Sequence, residues 1–209
     1  MQAVPQSTDV SAAEMVQRVL VGLLGGLTAT WAMTQFQSLL SPRQDQSGEQ
    51  EAKHSQEPQE EGSSTMRVGD AISKLVRGRP VSDEHKELAG QVVHYAYGTL
   101  MGGLYGAIKE VFPQTAAGRG TAWGTLLWLG GDEIALPLLR LAGPPTQYAV
   151  STHAAAWAAH LVYGLTLDTV CRSVEQLACS LKAGASRRAE EPQRDAPRLD
   201  YAELIAAGR

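Results

Sequence analysis

From Leu88 to Ile108 the chain carries no Asp, Glu, Lys or Arg. The run is 21 residues long, and a helix needs about 20 apolar residues to cross a bilayer core. No other stretch constrains the fold so strongly. Within it, Gly98, Gly102 and Gly106 recur every fourth residue. That spacing puts three missing side chains on one helix face. A neighbouring helix can then approach backbone to backbone, which is how helices associate where lipid removes the usual hydrophobic drive. His94 stands four residues before Gly98, on roughly the same face. The element His94-x-x-Tyr97-Gly98 returns as His160-x-x-Tyr163-Gly164.

The mean hydropathy of the whole chain is slightly polar, at -0.17. That average hides a strong segregation. Polar residues gather at 1–18, 42–87 and 172–209, and apolar runs of membrane length lie between them. The expected fold is an all-α membrane protein: four transmembrane helices arranged as two tandem hairpins, with a disordered linker and a disordered tail. The expected spans are 19–41, 87–108, 120–140 and 148–170, inside a membrane domain of residues 19–171. Residues 1–18 form a polar lead. They are too polar and too acidic for the n-region of a cleavable signal, so the first apolar run is read as a retained helix.

Gly22 and Gly26 give the first span its own close-approach pair, and Trp31 marks a headgroup level. Residues 42–65, rich in Gln, Glu, Ser and Pro, have too little apolar surface to offset ordering and are expected to be disordered. Over 66–79, Val68, Ile72, Leu75 and Val76 recur at helical spacing among Arg67, Lys74 and Arg77. That pattern suits an amphipathic helix at the membrane surface or packed in a loop. Ser82-Asp83-Glu84 reads as an N-cap with an acidic first turn, leading into the second span.

The third span is the least regular. Gly120 and Gly124 repeat the close-approach spacing, but the charge-free part ends after 12 residues at Gly131. Asp132, Glu133 and Pro137 follow. Two carboxylates at membrane depth cost roughly 2.5–3.5 kcal/mol each on insertion scales. They therefore face a polar interior, or the helix breaks at Gly130-Gly131 and leaves the bilayer early. The fourth span carries His153 and His160, two helical turns apart and so on one face. Asp168, Arg172 and Glu175 then read as the start of a helix emerging into water, and Tyr201 to Ala207 as a short amphipathic segment in the tail.

A tandem pair of hairpins would be related by a two-fold axis along the membrane normal. Lys and Arg number ten on the side of the termini and eight on the other, so the positive-inside rule tilts only slightly toward cytoplasmic termini. A net charge of -4 without a basic patch excludes nucleic-acid binding. Two cysteines eight residues apart, Cys171 and Cys179, make no disulfide framework and read as reduced thiols.

His94-Tyr-x-Tyr-Gly, Phe112-Pro113, Gly130-Gly-Asp-Glu-Ile-Ala-x-Pro137, Ala142-Gly-Pro-Pro and His153-x6-His160-x2-Tyr-Gly together resemble the YagU-like family of bacterial inner-membrane proteins of unknown function. The resemblance runs from about Val19 to Arg172. It implies a multi-pass inner-membrane location with cytoplasmic termini and carries over no catalytic residue. The acidic insertion at 42–65 departs from the family pattern.

The chemistry-bearing residues of the expected membrane domain are His94, Tyr97, Asp132, Glu133, His153, His160 and Tyr163. Histidine titrates near neutrality, so histidines beside buried carboxylates suit proton transfer or a solute path. The alternatives are a non-catalytic scaffold, in which these groups only fasten helices, and more remotely a haem or metal protein using His94 with His160. No Ser-His-Asp set, P-loop or GxGxxG is recognisable, so no enzyme activity, cofactor or metal is assigned. The expected partners are the lipid bilayer and, given four glycine-faced helices, a second copy of the chain.

Overall fold

The computed structural model describes residues 11–48 and 60–194. These are mostly helical, with no strand among them. The elements are α1 (Ala12–Gly48), α2 (Glu60–Arg77), α3 (Lys86–Ile108), α4 (Thr121–Leu127), a π-helical stretch (Trp128–Ala135), α5 (Leu136–Leu138) and α6 (Val150–Arg194). The chain divides into two units, Met1–Cys171 and Arg172–Arg209.

Glycine builds the first unit. α1 meets α3 where Gly22 and Gly26 face Gly98, Gly102 and Gly106. A methyl on Gly102 would sit 2.5 Å from the Gly26 Cα, and one on Gly26 would sit 2.6 Å from the Gly98 carbonyl oxygen. Thr30, fully buried, fills the level of Gly98 and turns its hydroxyl back to the Gly26 carbonyl at 2.8 Å. α4 meets α6 in the same manner. Gly120 and Gly124 face Gly164 and the backbone of His160. Gly120 has a second reason to be glycine, since it starts α4 at φ +87°, in the left-handed region.

The two glycine-faced pairs are tied together by polar and apolar contacts. The Tyr163 hydroxyl on α6 donates to the Gly98 carbonyl on α3 at 2.6 Å. Gly25 of α1 is closed over by Leu167 and Cys171 of α6. Tyr105, Trp123, Leu167 and Cys171 lie at the centre of the core, with Ala29 and Met33 from α1. α2 packs across the start of α3, where Gly69 meets Ala89 and Met66 and Thr65 cover Gly90. Its end is fastened locally: Gly78, at φ +70°, returns its N–H to the Lys74 carbonyl, the αL cap expected of glycine at that place. The Val81 N–H then donates to Asp70 at 2.8 Å. That bond holds the Asp70 carboxyl below its ordinary value of 3.8, with Lys74 adding to the effect.

The outward faces are apolar. Leu20, Leu24, Leu27 and Trp31 form an exposed stripe along α1. Leu88, Val92, Leu100 and Leu104 do the same on α3. Leu126, Leu129, Ile134 and Leu138 are exposed on the third helical segment, and Val150, Trp157 and Leu165 on α6. These stripes leave large apolar surface uncovered by the described residues.

By length and composition, one helix among the described residues is apolar enough to cross a membrane, Ala12–Leu40 in α1. α3 is long enough, but His94, its three tyrosines and its glycines dilute it. α6 is diluted by its histidines, threonines, Trp157 and Tyr163, and the third segment is broken into short pieces by the π-helical stretch. Of the four expected spans, one meets that measure, and the other three, richer in glycine and polar groups, do not.

Helix extends further than the sequence suggests. α1 continues to Gly48 and α2 begins at Glu60, so helix occupies both ends of the expected linker. α6 runs on to Arg194 through the region expected as a polar tail. In the second unit, Ser180 and Ser186 bond back to the carbonyls four residues before them, and Cys179 is exposed with a free thiol. The middle of the expected linker, residues 49–59, the start of the polar lead, and the expected tail segment Tyr201 to Ala207 lie outside the described residues.

Candidate functional site

The Gly130-Gly131 pair has the effect its composition permits. From Trp128 the helix widens, and its hydrogen bonds run from i to i+5 through Ala135. Glycine's low helix propensity makes this cheap here, and Pro137 ends the stretch by withholding a donor. π-helical turns are rare and concentrate at functional sites. In this chain the wide turn brings two consecutive carboxylates onto one neighbouring helix. Asp132 and Glu133 both reach α6, each to a different histidine.

The Glu133 Oε1 lies 2.5 Å from the His153 Nδ1. On its other side, the His153 Nε2 is 3.0 Å from the Pro145 carbonyl. A carbonyl only accepts, so Nε2 carries a proton. The short Nδ1–Oε1 contact then needs a proton of its own. The pair thus holds one transferable proton, whether it is drawn on the imidazole or on the carboxyl. Tyr148 stacks edge-on to His153, with ring centres 6.2 Å apart, and its hydroxyl accepts from the Gly143 N–H at 2.9 Å. The Ala142–Gly143–Pro144–Pro145 turn therefore serves to position His153.

Two turns along α6, the His160 Nδ1 donates to the Ala156 carbonyl at 2.9 Å and lies 3.7 Å from the Asp132 Oδ2. That separation is an ion pair only when the ring is charged. Asp132 accepts no hydrogen bond from any described residue. His94 of α3 is close enough to His160 for their charges to interact, and its buried Nε2 has no hydrogen-bond partner among the described residues. Tyr97 lies one turn on, with its hydroxyl over Gly131 and within electrostatic reach of Asp132. Beside Glu133 and His153 opens a cleft of about 80 Å³ lined by Asp132, Tyr148, Thr152 and Ala156 among others.

The structure thus brings His94, Tyr97, Asp132, Glu133, His153 and His160 into one connected region between α3, the π-helical stretch and α6. The two copies of His-x-x-Tyr-Gly are not used alike. Tyr163 is buried on the Gly98 carbonyl, whereas Tyr97 is 46% exposed beside the carboxylates. Gly22, Gly26, Gly98, Gly102, Gly106, Gly120 and Gly124 all lie at helix contacts away from the cleft. No group of three or more His, Cys, Asp or Glu among the described residues has the arrangement of a metal site.

One polar residue is placed differently from the expectation. Asp168 does not emerge into water. It is 1% exposed and accepts a hydrogen bond from the buried Tyr105 hydroxyl at 2.7 Å. Its signal was present in the chain: eight residues beyond His160, it shares the inner face of α6. Tyr148 and the Pro145 carbonyl, both partners of the His153 side, carried no such signal because their roles depend on the path of the turn.

A model for a family described as "Protein of unknown function (DUF1440)" matches residues 40–169. The chain belongs to this family. The DUF1440 match takes in α2, α3, the third segment and the inner half of α6, and so every residue of the polar region. It leaves α1, with Gly22 and Gly26, almost entirely outside. The match carries the DUF1440 family and not the narrower YagU-like name. No curated protein and no solved structure matches the chain.

Proposed function

We propose that this chain is a four-span protein of the bacterial inner membrane, with cytoplasmic termini, that passes protons through its interior. The observation that supports this reading is the Glu133–His153 and Asp132–His160 arrangement, held inside helices whose outer faces are apolar. Carboxylates and imidazoles in such a setting face a polar interior and mark ion or proton paths. The bilayer is the partner that covers the stripes Leu20 to Trp31, Leu88 to Leu104, Leu126 to Leu138 and Val150 to Leu165.

In this reading the shared proton of Glu133 and His153 passes to Asp132; His160, whose Nδ1 already gives its proton to the Ala156 carbonyl, takes the proton at Nε2, and the imidazolium so formed releases one toward His94. The residues differ in pKa class, and histidine exchanges protons near neutral pH. The 3.7 Å approach of Asp132 is to the protonated Nδ1, so transfer to Nε2 goes through water. The glycine contacts fix the helices, and the π-helical turn supplies the carboxylates.

The test is proton flux after a pH jump in liposomes holding the full chain. Wild type should conduct, and His94→Ala and Asp132→Asn should each lose the flux while keeping their helical content. Flux that is unchanged in Asp132→Asn ends the assigned path. No flux in wild type, with the protein folded, favours the scaffold reading, in which the same groups fasten helices.

A further inference from the structure

The cleft beside the Glu133–His153 pair has a mixed lining. Asp132 and Glu133 supply carboxylate oxygens on one wall, Tyr148 supplies an aromatic ring, and Leu136, Pro137 and Ala156 supply an apolar wall. Glu133 is neutralised by the proton it shares with His153. Asp132 has no such partner: the His160 Nδ1 is 3.7 Å away and gives its proton to the Ala156 carbonyl. Asp132, with no hydrogen bond from a described residue, thus lines a small cleft that Leu136, Pro137, Ala156 and Tyr148 also line.

We infer that this cleft binds a small primary alkylammonium ion. The ammonium would take Asp132 as its counter-ion, with Glu133 accepting a second N–H. The ring of Tyr148 adds cation–π attraction. The alkyl part would lie against Leu136, Pro137 and Ala156. The volume, about 80 Å³, suits an ion of a few heavy atoms. A bare alkali cation would use the oxygens of Asp132, Glu133, Ser64 and Thr152 but leave Leu136, Pro137 and Ala156 uncovered, which the sodium control tests. The proposal deepens the function given above and rests on its assignment of Asp132 and Glu133 as working groups.

The test is binding of methylammonium chloride to the purified full-length chain, followed by the thermal midpoint and by calorimetry, with sodium chloride and tetramethylammonium chloride at equal concentration as controls. Wild type should be stabilised by methylammonium above both controls. Asp132→Asn should weaken binding about tenfold or more, as expected for loss of a charged hydrogen-bond partner. Ala156→Leu, which fills the cleft and leaves every charge in place, should abolish it. A wild type that answers methylammonium no better than sodium overturns the proposal. So does a pair of folded variants that bind as tightly as wild type. Binding without proton flux supports the site and defeats the conduction reading; flux without binding does the reverse.

Discussion

Gly102 is the position where one added carbon should cost most. An alanine methyl there would lie 2.5 Å from the Gly26 Cα and 2.7 Å from the Gly26 nitrogen, and closer still to the Gly22 carbonyl. Ordinary contact begins at 3.4 Å, so α1 and α3 must part by about 1 Å at this level. A gap of 0.5–1 Å forfeits about a quarter to a half of each contact's dispersion energy along the seam. Overpacking of a dense interior costs about 1–3 kcal/mol, and the obstacles here are backbone, which does not rotate away. Alanine's better helix propensity returns about 1 kcal/mol. The net loss for Gly102→Ala should be about 2 kcal/mol, or about 4–8 °C in the melting midpoint for a chain of this size. Gly103→Ala is the paired control. Its methyl meets the flexible Leu23 side chain at 2.8 Å, and should cost less than half as much. Thermal melts in detergent, followed by circular dichroism, compare the two. Equal midpoints for Gly102→Ala and Gly103→Ala would refute the backbone-contact account of the α1–α3 pair.

Tyr105→Phe strips a donor from the buried Asp168 and should destabilise the fold by about 1–3 kcal/mol, read from the same melts. Tyr163→Phe leaves the Gly98 carbonyl without its cross-helix donor and should cost about 0.6 kcal/mol, the average for such bonds within membrane bundles. Asp70 should titrate below 3.8 by carbon NMR of its carboxyl, and Val81→Pro, which removes the N–H, should return it toward that value. Because the folded value is lowered, the stabilisation from Asp70 is complete above pH 3.8 and is lost as pH falls through the lowered value.

The spacing of small residues made the helix contacts legible before any coordinates. Gly98, Gly102 and Gly106 declare a face, and a face of missing side chains has meaning only against another backbone. His153 and His160 likewise declared a shared face, and Gly130-Gly131 an irregular helix. The form of that irregularity was not legible. A widened turn and a broken helix have the same local composition, and the neighbours of Trp128–Ala135 decide between them. Asp168 was misjudged for a related reason. A charge at the end of an apolar run is normally at a water boundary, and here the Tyr105 hydroxyl from another helix lets it stay inside. The length of α1 and α6 was hidden too, since Glu, Gln, Lys and Arg continue a helix as readily as they form a polar tail.

The central claim is that four helices cross the membrane although α1 alone is apolar enough by itself. Topology decides it. With Cys171 and Cys179 replaced by alanine, single cysteines at Ser82, Gln114 and Thr146 can be labelled in intact cells or sealed vesicles by a membrane-impermeant maleimide. Four spans place Ser82→Cys and Thr146→Cys on one side and Gln114→Cys on the other. A chain anchored by α1 alone would show all three cysteines on the same side, and that result would contradict the account.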